Sequence, residues 1–285
     1  MPKVLLNGTG LNYYRRPGFP VLVMVHGLAT NLAFWYLRVL PALQRQLGVV
    51  LFDLRGHGQS DVPPSGYTTA DMAQDLHTLL RHLGIEQAHF VGHSYGGAVA
   101  LHYAVLRPEC VLSLTLADAR VRCLQPSQRL ADWPQAAEWR RRLSALGVPV
   151  TDEPEMGYHL LEALAELTQR GVAYDEKMPG KFSPFGLSRG RNRTAERWLQ
   201  LLRTTSAKSD FKAIAGLTVE RIRNVSQPTL AIFGEYSHCL PSCRGLQETL
   251  PDCRVVMVPR AGHFHPVVRP LFFVRALHRF LKEVG

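Results

Sequence analysis

Residues 89–97, which read HFVGHSYGG, join an apolar run to a second apolar segment through a serine flanked by glycines. Gly92 and Gly96 carry no Cβ atom, so the backbone at Ser94 can form a sharp, strained turn that points its Oγ outward. At the start of the following helix, the Tyr95 amide would then face a developing oxyanion. The spacing therefore predicts a nucleophilic serine.

The elements around this turn alternate between strands and helices, which is typical of an α/β protein with a mainly parallel sheet. Thr68 and Thr69 offer N-cap chemistry for a helix that Gly84 stops. Apolar runs predict strands at 21–25, 49–52, 88–91, 111–116, 229–233 and 254–258. Helical patterns fall between them at 69–83, 95–106 and 271–281.

Four segments in order carry a resemblance to a known family. An apolar run ends in the His26-Gly27-Leu28 turn, a second run ends in DLRGHGQS, and the GHSYGG elbow and a late AGHF segment follow. With these motifs, nearly the whole chain resembles the α/β-hydrolase family. The resemblance implies a mostly parallel central sheet flanked by helices, with an inserted helical lid. It does not choose among the many activities of this fold.

The resemblance also implies partners for Ser94, because a serine hydroxyl is a poor nucleophile until an imidazole takes its proton. His263, in the AGHF segment after the last strand, stands where the family places its catalytic histidine. His265, two residues on, is the alternative. In the family's fold, the backbone N–H of Leu28 would form the oxyanion hole together with that of Tyr95.

The acidic residue that would complete a catalytic triad with Ser94 and His263 departs from the commonest family pattern. After the seventh strand many members read Gly-x-x-Asp, whereas this chain places Ser237 at that position. A serine cannot stabilise an imidazolium as a carboxylate does. Asp118 ends the strand that follows the elbow helix. Neighbouring parallel strands lie about 4.8 Å apart and end at one edge, so this carboxylate can reach the same histidine.

Polyketide-type thioesterases and haloalkane dehalogenases, which this chain resembles in this respect, place the acid after the same strand. The dehalogenases use an aspartate nucleophile, so Ser94 argues against their chemistry. We therefore predict the catalytic residues Ser94, His263 and Asp118. Glu235, an unidentified acid or the absence of an acid remain alternatives, since Asp118 could merely cap the following segment.

These residues predict hydrolysis of an ester or thioester through an acyl-enzyme on Ser94, with water or a substrate hydroxyl as the acceptor. The chemistry requires no cofactor. Within the same family, a C–C bond hydrolase acting on a diketone-like substrate uses the same residue types. A ligand-binding protein with a degraded triad is a third hypothesis, which the serine at position 237 favours.

Residues 121–224 are rich in arginine, with helical runs at 135–146, 156–169 and 195–204. This segment resembles the lid that many α/β-hydrolases insert after the sixth strand, which predicts a core of residues 1–120 and 225–285. A loop at 182–186 could border the entrance. Most of the lid aromatics should pack against the core and one or two line the acyl pocket; they include Trp133, Trp139, Tyr158, Phe182, Phe185 and Trp198.

The chain has 285 residues, 46% hydrophobic content and a formal net charge of +10. Basic residues cluster at 140–142 and 189–193 without a nucleic-acid motif, so no nucleic-acid partner is predicted. Basic surface could instead attract an anionic substrate or an acyl thioester on coenzyme A or a carrier's phosphopantetheine arm. The predicted partner is thus a small acyl substrate. No run approaches the roughly 18 apolar residues of a membrane span.

The five scattered cysteines are typical of reduced thiols, and no second pair completes a zinc site with Cys239 and Cys243. We therefore predict no metal. The N-terminus lacks the features of a signal peptide, which indicates the cytoplasm. Three histidines beside motif glycines, His26, His57 and His93, are expected to shape loops. Asp53 is expected to hold loops together through Arg55.

Overall fold

The central sheet is built from apolar segments that helices can cover on both faces. The computed structural model describes residues 1–172, 184–185 and 192–285. Within them the strands are β1 (Lys3–Leu6), β2 (Thr9–Arg16), β3 (Val21–Val25), β4 (Gly48–Phe52), β5 (Ala88–His93), β6 (Val111–Ala117), β7 (Thr229–Gly234) and β8 (Cys253–Val258). Every residue of β4, β5 and β7 is buried, as expected for a sheet enclosed between helical layers.

The strand order β1-β2-β4-β3-β5-β6-β7-β8 places β3 and β5 side by side. β2 pairs antiparallel with both β1 and β4, and each neighbouring pair from β4 to β8 is parallel. The chain turns in opposite directions after β3 and after β5, which opens a crevice beyond their carboxyl ends. The predicted fold class is confirmed, and all six predicted strands are present.

Helices flank the sheet and connect its parallel strands. α2 begins at a capping box, in which Thr68 Oγ1 accepts the Asp71 N–H while the Asp71 carboxylate accepts the Thr68 N–H. Gly84, at φ 67°, follows its end. The described helices are α1 (Ala33–Arg38), α2 (Thr69–His82), α3 (Tyr95–Leu106), α4 (Ala136–Ala145), α5 (Met156–Gln169), α6 (Arg193–Thr204), α7 (Ala207–Asp210), α8 (Val219–Ile222), α9 (Leu240–Thr249), α10 (His265–Val268) and α11 (Pro270–Val284). None of them combines the length and apolar character needed to cross a bilayer.

Between β6 and β7 the described chain folds into α4 to α8, with one isolated bridge between Gln128 and Glu155. The helices α4, α5 and α6 match the three predicted helical runs to within two residues. The division into a core and a lid at residues 121–224 stays a prediction. Residues 173–183 and 186–191 lie outside the described residues, and with them Phe182, most of the predicted entrance loop and most of the basic cluster at 189–193.

Asp53 joins several loops near the end of β4, but not in the predicted way. Its buried carboxylate accepts two backbone N–H groups, from Leu32 at 2.7 Å and Gln59 at 2.8 Å, and the Asn12 side-chain amide at 2.7 Å. The prediction that it acts through Arg55 is wrong, because that guanidinium pairs with an acid on α2. Asp53 therefore joins these loops through amide donors and not through a guanidinium.

Two histidines of the motif turns are buried as neutral rings. Burial lowers the pKa of His26 to about 4 and that of His57 to about 3, whereas an unfolded histidine titrates near about 6.5. Their contribution to stability is therefore fully present above that unfolded pKa. It is lost as the pH falls toward the folded pKa, since only the unfolded state takes up the protons.

We therefore expect the free energy of unfolding to fall by about 2 kcal/mol or more when the pH is lowered from about 7.5 to about 5. Urea denaturation at the two pH values measures this change. His57→Asn, which lacks one of the two groups, is the control and should show a smaller pH dependence. An unfolding free energy that is equal at both pH values would contradict burial of neutral histidines.

Candidate active site

Ser94 occupies a strained turn between β5 and α3. Its backbone angles are φ 54° and ψ −121°, a region that residues with a side chain rarely adopt. A Cβ on Gly92 would lie 2.4 Å from the Gly96 oxygen, and a Cβ on Gly96 would lie 2.3 Å from the His26 oxygen. The two glycines thus let α3 approach β5 and β3 closely enough to hold the serine in this turn.

The turn after β3 brings the Leu28 amide to the same place. Gly27 lies against the elbow, since a Cβ on it would be 3.0 Å from the Ser94 Cβ. The Gly27 oxygen accepts hydrogen bonds from His26 Nδ1 at 2.8 Å and from Thr30 Oγ1 at 2.7 Å. Because the C=O and N–H of a trans peptide point in opposite directions, these bonds orient the Leu28 N–H away from them.

The Tyr95 amide is the second predicted oxyanion donor. As the first residue of α3 it has no acceptor within the helix. In the part of the chain that the structure describes, neither this N–H nor that of Leu28 donates to another protein group. The Tyr95 phenol donates to the Tyr67 oxygen at 2.8 Å, and its ring packs edge-on against Phe211. The side chain is therefore anchored, while the amide is available.

His263 and Asp118 meet beyond the ends of the strands. His263 Nδ1 lies 3.2 Å from Asp118 Oδ1, and the carboxylate has no exposed surface, whereas 12% of the His263 side chain is exposed. Asp118 has φ 50°, a conformation that aspartate tolerates better than most residues. With Nδ1–H donated to the carboxylate, Nε2 is the nitrogen that can accept a proton.

Ser237, at the usual position of the acid, contacts the carboxylate that replaces it. Its Oγ donates a hydrogen bond to Asp118 Oδ1 and accepts the Cys239 N–H at 2.9 Å. The other carboxylate oxygen accepts the Gly234 N–H at 2.8 Å. The last residue of β7 and the loop after it therefore each donate a hydrogen bond to the acid that follows β6. The sequence showed only that Ser237 departs from the family pattern, not that it contacts Asp118.

The surroundings of the two alternative residues do not suit a triad acid or base. Glu235 is exposed and its carboxylate accepts the Arg260 N–H at 2.7 Å. His265 has no exposed surface, and its Nε2 donates to the Ile232 oxygen at 3.0 Å and lies 3.4 Å from Asp118 Oδ2. Burial lowers its pKa to about 4. This histidine is enclosed in the core, whereas His263 borders the cavity described below.

Two further histidines contact His263, and the sequence did not predict these contacts. His93 Nε2 donates to the His263 backbone oxygen at 2.9 Å, and its ring stacks on Phe34. The His238 ring contacts those of Trp133 and His263, with centroids 4.7 and 4.5 Å away. Burial holds the pKa of both well below the ordinary value. In the sequence, His93 is adjacent to the predicted nucleophile and could have been noticed. His238 belongs to no motif that would have pointed to the site.

His238, Cys239 and His263 bring metal-ligand atoms within 4.8 Å of one another. Cys239 Sγ lies 3.7 Å from His263 Nδ1. Burial raises the pKa of this thiol well above its ordinary value, whereas a metal ligand would be a thiolate. His263 Nδ1 also faces the Asp118 carboxylate. The arrangement favours proton transfer over metal binding.

A cavity of about 820 Å³ lies over the elbow, and Leu28, Ser94, Tyr95 and His263 all border it. Its volume is typical of small-molecule sites, which measure about 300–1,000 Å³. Much of the remaining wall is apolar and comes from the segment between β6 and β7, in particular Trp133, Trp139, Tyr158, Leu160, Leu161 and Leu164. Such a wall suits an acyl chain. By contrast, the predicted lid aromatic Trp198 is buried and stacks on Phe211.

Comparisons with known proteins agree with this architecture. A family model described as the alpha/beta hydrolase fold matches residues 20–270. The chain is 30% identical to a "Putative carbamate hydrolase RutD" of Pseudomonas savastanoi pv. phaseolicola, over 92% of this chain and 93% of that one. It is also 30% identical to a protein of the same description from Klebsiella pneumoniae subsp. pneumoniae, over 87% and 85% of the two chains.

Among solved structures, that of Est816, described as an N-acyl homoserine lactone degrading enzyme, aligns with a TM-score of 0.69 at 21% identity. The alignment covers 98% of this chain and 100% of that one. At this identity the likeness concerns the fold alone. The family-model match over residues 20–270 and the 30% identical relatives show that the chain belongs to the alpha/beta hydrolase family and is a hydrolase of that fold.

Proposed function

We propose that this hydrolase cleaves an ester or thioester through an acyl-enzyme on Ser94. The observation that carries the proposal is the buried Asp118 carboxylate, 3.2 Å from Nδ1 of a histidine that borders the same cavity as Ser94. Leu28 and Tyr95, whose amides are the predicted oxyanion donors, border that cavity too. A nucleophile, a base with its orienting acid and two oxyanion donors are the groups that acyl transfer needs.

In the first step, His263 Nε2 takes the Ser94 Oγ proton as Oγ attacks the carbonyl carbon. The carbonyl electron pair moves onto oxygen, where the Leu28 and Tyr95 N–H groups stabilise it; the loss of one such donor typically costs about 3 kcal/mol. Asp118 keeps the proton on Nδ1 and stabilises the imidazolium. The C–O or C–S bond then breaks, and His263 returns its proton to the leaving alcohol or thiol.

In the second step, His263 Nε2 takes a proton from water, whose oxygen attacks the acyl carbon of the intermediate. The tetrahedral species collapses, the free acid leaves, and Ser94 Oγ recovers its proton. A hydroxyl on the acyl chain can replace the water, in which case the product is a lactone. The leaving thiol can belong to coenzyme A or to a carrier's phosphopantetheine arm, for which the net charge of +10 is favourable.

A carbamate is a second candidate substrate, because relatives described as carbamate hydrolases match about nine-tenths of the chain. A carbamate carbonyl can be attacked by Ser94 and held by the same two amides, with an amine or alcohol as the leaving group. The C–C bond hydrolase considered from the sequence would use these residues as well. The substrate class therefore has to be determined by comparing kcat/KM values for esters, thioesters, carbamates and diketones.

We expect a fluorophosphonate probe to label the folded protein at Ser94, because the probe reacts with a serine only when a base and an oxyanion hole activate it. A panel of p-nitrophenyl esters, acyl-CoA, carrier-bound acyl thioesters, carbamates and a diketone then compares kcat/KM values. The highest value should belong to an ester or thioester. Turnover of the carbamate or the diketone alone would reject that class, and a folded wild type that is not labelled would indicate a ligand-binding protein.

A further inference from the structure

Arg120 is a buried cation in the wall of the cavity. It lies two residues after Asp118, and 9% of its surface is exposed. Its Nη1 donates to Glu155 at 3.2 Å, and its Cζ lies 5.2 Å from the centroid of the Tyr158 ring. Among the described residues, its Nε and Nη2 have no hydrogen-bond partner. Two unpaired charged donors in a buried position are costly, so they indicate a partner, either a ligand or a water, that pairs with them.

The two unpaired nitrogens share one edge of the guanidinium. Their N–H groups are parallel, and such a pair matches the two oxygens of a carboxylate. The Glu155 contact holds another edge of Arg120, and the Tyr158 ring covers one face. Tyr158 is itself anchored, since its phenol donates to the Phe211 oxygen at 2.7 Å. A donor pair oriented in this way favours a carboxylate over a neutral polar group.

The charge balance around this edge is positive. The second oxygen of Glu155 accepts a hydrogen bond from Arg122, so one glutamate serves two arginines. Arg260 and Arg269 border the cavity from exposed positions. Glu138, an acid that also borders it, is already paired with two arginines of α4. Such a distribution of charge attracts an anionic substrate.

We propose that the Nε and Nη2 edge of Arg120 binds a carboxylate of the substrate, so that the enzyme prefers anionic esters or thioesters, such as half-esters of dicarboxylic acids. This inference rests on the proposed function, because it specifies the substrate class of the same site. Arg120 also borders a void of about 20 Å³, which is large enough for one water. A water on this edge would give no preference for charge, so the two occupants are distinguishable.

The test compares two p-nitrophenyl esters of equal chain length, the anionic hemiglutarate and the neutral valerate, after subtraction of spontaneous hydrolysis. We expect the wild-type ratio of kcat/KM for the hemiglutarate to kcat/KM for the valerate to be about tenfold or more. Arg120→Gln should lower this ratio by about tenfold, because it removes one charge-assisted hydrogen-bonded pair. Arg122→Gln is the matched control, because Arg122 shares Glu155 without bordering the large cavity. It should keep the wild-type ratio.

Arg120→Lys provides a second variant in case Arg120→Gln does not fold. Lysine keeps the charge but lacks the parallel donor pair, so an intermediate ratio is expected. A wild-type ratio near one, or an equal fall of the ratio in the Arg122 control, overturns the carboxylate subsite while the proposed function stands. If neither ester is turned over and the fluorophosphonate does not label Ser94, the proposed function fails and the subsite fails with it.

Discussion

Replacing Asp118 with asparagine should lower kcat by about 10⁴-fold, the scale of losing the orienting acid in a serine triad. The asparagine oxygen would accept the Gly234 N–H, as Oδ2 does at 2.8 Å, and its NH₂ group would then face His263 Nδ1. A donor at that position moves the imidazole proton onto Nε2, which can no longer accept the Ser94 proton. Steady-state kinetics with a p-nitrophenyl ester measure the loss.

A second variant separates loss of the acid from loss of the fold. Ser237 Oγ contacts Asp118 Oδ1, so a carboxylate at position 237 lies within reach of the same imidazole. Adding Ser237→Asp to the Asp118→Asn protein should therefore restore measurable activity, which a structural defect would not allow. If Asp118→Asn keeps its kcat while Glu235→Gln loses it by orders of magnitude, the acid has been assigned wrongly.

Replacing Ser94 with alanine should remove fluorophosphonate labelling and lower kcat by about 10⁶-fold, the scale of removing a triad nucleophile. Without Oγ no acyl-enzyme can form, and the oxyanion donors alone give little rate. Mass spectrometry of the probe adduct and kinetics on the same ester measure both effects. Labelling that persists in the folded alanine variant would place the nucleophile on another residue.

The matched variant Ser94→Gly tests the strain at the same position. At φ 54° and ψ −121°, a Cβ atom is unfavourable by about 1–3 kcal/mol, whereas glycine adopts this region freely. The added entropy of glycine in the unfolded chain offsets about 0.4–1 kcal/mol of that gain. Chemical denaturation should therefore show Ser94→Gly to be more stable than Ser94→Ala by about 1 kcal/mol. Equal stabilities would mean that the elbow is not strained.

The sequence by itself determined the fold class and the candidate nucleophile, because both depend on local patterns. Apolar runs of four to six residues marked six strands, and each of these runs lies in the parallel part of the sheet. Strands β1 and β2 escaped prediction, since KVLL is short and TGLNYYRR is largely polar. The elbow was readable because a Cβ on either of its glycines would lie 2.3–2.4 Å from a backbone oxygen, so only glycine fits these positions.

Tertiary structure decided how the acid reaches the candidate base. Asp118 and His263 are separated by 145 residues, and Ser237 and Asp118 by 119. The sequence left open whether the acid was Asp118, Glu235, an unidentified residue or absent. In the folded chain Asp118 is buried against His263, while Glu235 is exposed and contacts the Arg260 amide. Which carboxylate contacts the imidazole depends on the strand register and on the loop after β7, and neither leaves a local pattern.

The surroundings of the site likewise arise from contacts between distant segments. His238 packs between Trp133 and His263, and Arg120 lies in the cavity wall beside Glu155 and Tyr158. In the sequence alone, these residues cannot be distinguished from ordinary surface histidines and arginines. Their roles come from burial, because burial holds the pKa of His238 low and leaves two Arg120 donors without a partner among the described residues. Local sequence encodes a turn or a strand, whereas desolvation and pairing exist only once distant segments have packed together.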